Sequence, residues 1–156
     1  VREHGMDQAE AGQFWIWLGI CSLFSGPLFG GFSDRFGRRA GIAASLSFQT
    51  FAYVLIAFGN GAWSVYASVV LYGLSTFSLP LIMGATVADY ASPEQVAGML
   101  GKLTAIFGIG QILGPILAGV MADYCGEFTA AYLASGSLAA LAIAATLTLP
   151  DPSGKE

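Results

Sequence analysis

Charged residues are scarce in this sequence, making up 10% of its 156 residues, whereas soluble domains carry about 25%. Only six residues are Lys or Arg and the net charge is −4, which excludes a binder of nucleic-acid phosphates. Two cysteines, Cys21 and Cys125, are too few for a disulfide framework. The single histidine, His4, has no partners at metal-ligand spacing. Without a Walker loop or a Ser-His-Asp set either, the sequence predicts no enzyme activity, no cofactor and no metal.

The sequence is rich in long hydrophobic runs, with 55% hydrophobic residues and a mean hydropathy of +0.67. Five stretches contain no Asp, Glu, Lys or Arg, namely 14–33, 40–59, 62–88, 103–122 and 128–150. Each has the roughly 20 residues that a helix needs to cross a bilayer, and one charge at a helix centre would cost about 2.5–3.5 kcal/mol. We therefore predict an all-α, polytopic membrane protein with five transmembrane helices. A β-barrel is excluded because its strands would alternate polar and apolar residues.

The basic residues predict the orientation of these five spans. Five of the six fall on one side of the membrane, namely Arg35, Arg38, Arg39, Lys102 and Lys155. The positive-inside rule places that side in the cytoplasm, so the amino end is expected outside and the carboxyl end inside. We expect an integral protein of the bacterial inner (plasma) membrane. The odd number of spans, the exterior start and the absence of an initiator Met together suggest a fragment that lacks upstream helices.

A charged turn follows the first span and reads Gly30-Gly31-Phe32-Ser33-Asp34-Arg35-Phe36-Gly37-Arg38-Arg39. Gly37 permits a sharp reversal, and the three arginines can bind carboxylates or phosphates with two nitrogens each. Any basic turn would mark the cytoplasmic side, but this order of glycine, acid and base is far more specific. The residues that define the pattern are Gly30, Asp34, Arg35, Gly37, Arg38 and Arg39.

This run resembles the signature loop of the major facilitator superfamily of secondary transporters. The span lengths and short connections are similar to five consecutive helices of that family, so residues 1–156 are expected to form part of such a transporter domain. The resemblance implies alternating access, in which two six-helix halves rock around a central site. It also implies a gating role for the loop, with Asp34 binding a helix N-terminus in the opposite half. The implied partners are the lipid bilayer, a small solute with or without a coupling proton or cation, and the remaining helices of the parent transporter.

The fourth span is rich in small residues that favour close helix packing. Gly110 and Gly114 begin a stripe with a period of four, which lets helix backbones approach in lipid. The run also resembles the antiporter signature of drug-efflux members through Gly110, Gly114, Pro115 and Gly119, although Ala118 stands where a glycine is expected. Gln111 is a candidate for lining a substrate cavity, and a hydrogen bond to a neighbouring helix is the alternative.

The second and third spans carry the remaining polar candidates. Tyr72 is the best candidate for a substrate contact if the third span faces the central cavity, and packing against a neighbour is the alternative. The serine and threonine hydroxyls around it are expected to bond their own backbone or a neighbouring helix. Pro80 is expected to kink this span. Gln49, in the second span, is expected to bond another helix rather than a ligand.

Two placements in the family fold fit the chain. The third span lacks the arginine that efflux members carry near the membrane centre, and six residues follow the last span. Both features favour helices 8–12, in the C-terminal half of a transporter. The alternatives are helices 2–6 of a proton-coupled drug efflux antiporter, or a five-helix membrane protein that transports nothing. Since no span holds an ionisable group at mid-depth, any coupling residue is expected in another part of the parent protein.

Overall fold

The computed structural model describes the backbone of residues 8–148 and the side chains of residues 12–148. In this range the chain forms six helices: α1 (Gln8–Phe36), α2 (Arg38–Phe58), α3 (Ala62–Thr76), α4 (Ser78–Tyr90), α5 (Pro93–Cys125) and α6 (Thr129–Leu147). The same range contains no β-strand. The predictions for His4 and Lys155 lie outside the described residues.

The predicted fold class is confirmed. Within the described range, five segments are long and apolar enough to cross a membrane: Gly12–Phe36, Arg38–Phe58, Ala62–Tyr90, Pro93–Cys125 and Thr129–Leu147. Helices α3 and α4 together make the third segment. Several helices run past the charge-free windows because their terminal turns accept charged residues. Arg35 lies in the last turn of α1 and Glu94 in the first turn of α5.

Glycine makes the sharp turns between the helices. Gly37, Gly61 and Gly126 have φ values of +93°, +84° and +79°, a region that other residues rarely adopt. Gly59, which follows α2, has an ordinary φ of −74°. A glycine is required there for space, because a Cβ would collide with the Ser64 side chain.

Helix α2 lies at the centre of the described bundle. It packs against α1, α3, α4 and α6, while α1 also packs closely against α3. Small residues set the distances between these helices. A Cβ on Gly73 of α3, for example, would lie 2.8 Å from the Cβ of Cys21 in α1. Apolar side chains fill the centre, namely Phe29, Ile42, Leu46, Ile82 and Ala139. Because lipid tails are as apolar as these side chains, close packing is what holds such helices together.

Helix α5 has a different environment from the others. It packs mainly against α4 and α6, and none of its described side chains is buried. Large apolar residues such as Ile106, Ile112 and Leu117 are more than half exposed. In a membrane this surface faces lipid or another helix. The helix continues through Pro115.

The third span is divided in its middle. Helix α3 ends at Thr76, α4 begins at Ser78, and Phe77 lies between them. Pro80 is the third residue of α4, where its missing N–H is tolerated. A continuous helix would need that N–H to bond the Thr76 carbonyl. The kink expected from Pro80 takes the form of a one-residue interruption at Phe77, three residues earlier, where φ is −94° and ψ is −2°.

Candidate functional site

The arginine that opens α2 connects three helices. Arg38 Nη1 donates to Asp34 Oδ1 at 2.5 Å, and its Nε donates to Asp89 Oδ2 at 2.7 Å. Nη1 also donates to the Ser33 hydroxyl at 3.3 Å. Ser33 and Asp34 belong to the last turn of α1, whereas Asp89 lies at the end of α4. We call these four residues the Arg38 cluster.

The local backbone explains how the Arg38 cluster forms. Gly37 alone separates α1 from α2, so Asp34 and Arg38 lie four residues apart across the turn. Gly41 then allows α2 to lie against α1, because a Cβ there would sit 2.5 Å from the Ser33 Cβ. A positive charge at the N-terminus of α2 opposes the helix dipole. The two carboxylates beside Arg38 offset that cost.

Exposure differs between the members of the cluster. The Arg38 side chain is 20% exposed, Asp89 41% and Asp34 68%. Exposed ion pairs contribute about 0–1 kcal/mol to stability. The two pairs therefore fix the relative positions of the ends of α1, α2 and α4 more than they stabilise the fold. A contact of this strength can be broken and remade, which suits a switch.

The other two arginines of the turn have different environments. Arg39 Nη2 donates to the Leu147 carbonyl at the end of α6, where a positive charge is favourable. Its Nε is buried and has no hydrogen-bond partner in the described chain. Arg35 lies over the ring of Phe36, with Cζ 5.5 Å from the ring centroid. The structure thus brings Asp34 and Arg38 together and leads Arg35 and Arg39 away from them.

Gly30 and Asp89 also contribute to the contacts around the charged turn. A Cβ on Gly30 would lie 3.1 Å from Leu81 Cδ2, so this glycine lets α1 approach α4. The pairing of Asp89 with Arg38 is not predicted by the sequence analysis. A signal was available, because an acid that ends the third span falls on the same side of the bilayer as the charged turn.

The structure also locates the residues predicted to pack or to line a cavity. Gln111 is exposed on α5. A Cβ added at Gly110, Gly114 or Gly119 would meet nothing within 4 Å among the described atoms, and Pro115 is exposed as well. Among residues 8–148, no helix packs against this stripe.

Tyr72 is half-buried at the contact between α3 and α2. Its ring lies 5.8 Å from that of Tyr53, measured between centroids. Neighbouring hydroxyls bond backbone carbonyls, as expected: Thr76 donates to the Tyr72 carbonyl at 2.6 Å, and Ser68 to that of Ala52 at 2.8 Å. Gln49 forms the expected interhelical bond, from Nε2 to the Ser75 carbonyl at 3.3 Å. Within this chain Tyr72 thus takes part in helix packing.

Five membrane-length apolar segments that carry an ion-pair cluster across three helix ends define a polytopic helical membrane protein. All residues from 1 to 156 match the family model of the Major Facilitator Superfamily, and the chain belongs to that family. Members of the family are transporters and not enzymes.

Named relatives agree with this assignment. The chain is 33% identical over 132 residues to the class B tetracycline resistance protein of Escherichia coli, covering 83% of this chain and 32% of the relative. It is 32% identical over 114 residues to the class C protein of the same species, covering 71% and 28%. It is also 32% identical over 139 residues to human solute carrier family 67 member A1, covering 86% and 32%. The chain thus spans about a third of the length of these relatives.

Proposed function

We propose that this chain is part of a secondary active transporter that moves a small solute by alternating access. The observation that carries the proposal is the Arg38 cluster, a breakable set of ion pairs across three helix ends in a member of a transporter family. In this proposal residues 1–156 form part of the transporter domain, corresponding to about helices 8–12. The open faces of α5, which includes Gln111, receive the other helices and border the solute pathway, and Tyr72 is a second candidate there.

The Arg38 cluster gates the pathway in this scheme. Arg38 holds the end of α4 against the turn between α1 and α2 in one state. Asp34, which is the most exposed member, is free on one side to bind a helix N-terminus of the other half, where a carboxylate is favoured. Gly30 and Gly37 supply the close approach and the sharp turn, while Arg35 and Arg39 complete the basic surface. Rocking of the two halves breaks one set of contacts and forms the other.

The topology belongs to the same proposal. The Arg38 cluster lies on the cytoplasmic side, the amino end outside and the carboxyl end inside, in a bacterial inner (plasma) membrane. Coupling to a proton or cation uses an ionisable group in another part of the parent protein.

The experiment follows all solutes at once because the substrate is unassigned. Cells that express the complete natural gene, the same gene with Asp34→Asn, or empty vector are incubated in a complex metabolite extract, and mass spectrometry compares their contents. At least one solute should differ between natural protein and vector, and that difference should shrink in the variant at equal membrane abundance. Identical contents in natural protein and vector would reject transport and favour the non-transporting alternative. An unchanged effect with Asp34→Asn would reject the gate.

Proton-coupled drug efflux, by helices 2–6 of the parent, is the second candidate. It is favoured by the two relatives named as tetracycline resistance proteins and by the run from Gly110 to Gly119. Tetracycline is the direct probe. Expression should raise the tetracycline concentration that inhibits growth, and a protonophore should abolish efflux of the drug. Equal inhibition with and without the natural protein would remove tetracycline efflux from consideration.

A further inference from the structure

Arg39, the second residue of α2, has hydrogen-bonding capacity that its neighbours do not use. Its Nη2 donates to the Leu147 carbonyl of α6, whereas its buried Nε has no hydrogen-bond partner among the described residues. No carboxylate of residues 12–148 forms an ion pair with Arg39, although Arg38 beside it binds two. A positive charge that is partly withdrawn from water is costly without a counter-ion. Arg39 is therefore suited to bind an anion from outside this part of the chain.

An apolar cavity of about 440 Å³ begins next to Arg39 and lies among α2, α4, α5 and α6. Ile42, on its α2 wall, follows Arg39 by one helical turn. Thr146, on its α6 wall, precedes the residue whose carbonyl Arg39 binds. The charge-free stretch of the second span starts directly after Arg39, at Ala40. Arg39 thus lies at the membrane surface, and the cavity extends from it into the hydrocarbon region.

The walls of this cavity offer no free polar group. Two of its lining residues carry hydroxyls, and both hydroxyls bond their own helices. Thr104 donates to the Leu100 carbonyl at 2.8 Å, and Thr146 donates to the Ala142 carbonyl at 2.7 Å. The other lining side chains are apolar. Since protein interiors rarely leave voids much larger than a water molecule, the chemistry of the walls calls for an apolar occupant.

The size and access of the cavity favour a flexible chain over a helix. A helix with its side chains is about 10 Å wide and rises 5.4 Å per turn, so one turn fills about 400 Å³. The cavity therefore has room for about one turn of a further helix. Helix α5 closes one side of the cavity, yet it has no buried side chain and packs mainly against α4 and α6. A lipid acyl chain can enter beside such a loosely packed helix.

We propose that Arg39 and this cavity form a binding site for one anionic phospholipid. The lipid phosphate accepts hydrogen bonds from Nε and a second guanidinium N–H, a paired contact for which arginine is suited. One acyl chain fills the cavity and supports α5 against α2, α4 and α6. Basic pockets between membrane helices are recognised binding places for anionic headgroups. The site goes beyond the proposed transport function, and lipid binding is measured without any solute, so the two can fail independently.

The test is photocrosslinking in the intact natural protein, placed in phosphatidylcholine nanodiscs with a small fraction of phosphatidylglycerol whose acyl chains carry an alkyne. The photoreactive residue benzoylphenylalanine replaces Leu103 on the cavity wall. In the control it replaces Ile112, which is 66% exposed further along α5. The label at Leu103 should capture phosphatidylglycerol well above its share of the bilayer, and the label at Ile112 only in proportion to that share. Alkyne-bearing phosphatidylcholine should be enriched at neither position.

Two matched variants each remove one positive charge from the turn. Arg39→Gln should lower the capture of phosphatidylglycerol at Leu103 by about tenfold, because hydrogen bonds from a charged donor to the phosphate are lost. Arg35→Gln should leave it unchanged, because the Arg35 guanidinium lies over the Phe36 ring. Arg39→Lys, which keeps the charge but not the paired contact, replaces the glutamine variant if that variant yields no folded protein. It should lower capture severalfold.

Excess glycerol phosphate, the headgroup without acyl chains, distinguishes a lipid site from a site for a soluble phosphate and should not reduce capture. The proposal is overturned if it does, if both lipids are captured equally at Leu103, or if the Arg39 and Arg35 variants lose capture to the same extent. It is also overturned if the label at Leu103 crosslinks only to protein, because another helix of the parent transporter then fills the cavity.

Discussion

The contact between α1 and α2 at Gly41 gives the sharpest stability prediction, for the substitution Gly41→Ala. A Cβ at this position would lie 2.5 Å from the Cβ and 2.9 Å from the Cα of Ser33, which is 1% exposed. Since one of these atoms belongs to the α1 backbone, no side-chain rotation relieves the clash. Restoring ordinary contact requires the two helices to separate by about 1 Å in a close-packed interior.

The cost of this separation can be compared with the gain in helix propensity. Overpacking of an interior costs about 1–3 kcal/mol, and alanine is better than glycine in a helix by about 0.8–1 kcal/mol. The net loss is therefore about 0–2 kcal/mol, and a clash with backbone atoms places Gly41 at the upper end of that range. Gly136 provides a matched control on α6, because it is also buried but its Cβ would lie 3.5 Å from the Tyr53 Cβ, an ordinary contact. Gly136→Ala should therefore keep the propensity gain without the clash.

The assay measures the apparent melting temperature of the intact natural protein in detergent. The protein is heated to a series of temperatures, and the loss of its monodisperse size-exclusion peak is recorded. Gly41→Ala should melt a few degrees lower than the natural protein, at roughly 2–4 °C per kcal/mol for about 200 residues and less for a longer chain. Gly136→Ala should melt at the same temperature or higher. A Gly41→Ala protein as stable as the natural one would refute the claim that backbone contact fixes the spacing of α1 and α2.

Three further outcomes are expected. Cys125 is exposed at the end of α5. It should react with a membrane-impermeant maleimide in intact cells that carry Cys21→Ser. Labelling only after permeabilisation would show that the orientation is the reverse of the one proposed. Arg38→Lys should lower transport severalfold at equal abundance, because an ammonium cannot reproduce the forked contacts to two carboxylates; undiminished flux would mean that charge alone suffices. Arg39→Met removes the donor to the Leu147 carbonyl and should lower the melting temperature by an amount equivalent to about 1–3 kcal/mol, and no change would show that the bond contributes nothing.

The fold class was predictable because each piece of information lies in a local stretch of sequence. A charge-free run of about 20 residues is sufficient to predict a membrane helix, and the turn from Gly30 to Arg39 identified the family. The interhelical bond of Gln49 was also predictable, since an amide among apolar side chains needs a partner. The break at Phe77 was only half predictable: Pro80 signals a disturbance, but the hydroxyls of Ser25 and Ser45, which contact Phe77 and Ser78, come from two other helices.

The candidate site shows the same division. The order of residues alone places Asp34 and Arg38 four apart across a glycine turn, within reach of each other. That Asp89 is the second partner of Arg38 follows only from the packing of α4 against α1 and α2. Tyr72 looked like a cavity residue from its stripe of hydroxyls, yet within this chain its ring packs against Tyr53.

The sequence by itself determined that the chain is a helical membrane protein of the major facilitator superfamily, because hydropathy, charge and a compact motif are properties of consecutive residues. Tertiary structure alone decided which helix ends share an ion pair, which glycines separate backbones, and where the third span divides. Those features depend on atoms that are distant in sequence, and in lipid the choice among helix arrangements depends on steric fit and on satisfying buried polar groups rather than on hydrophobicity.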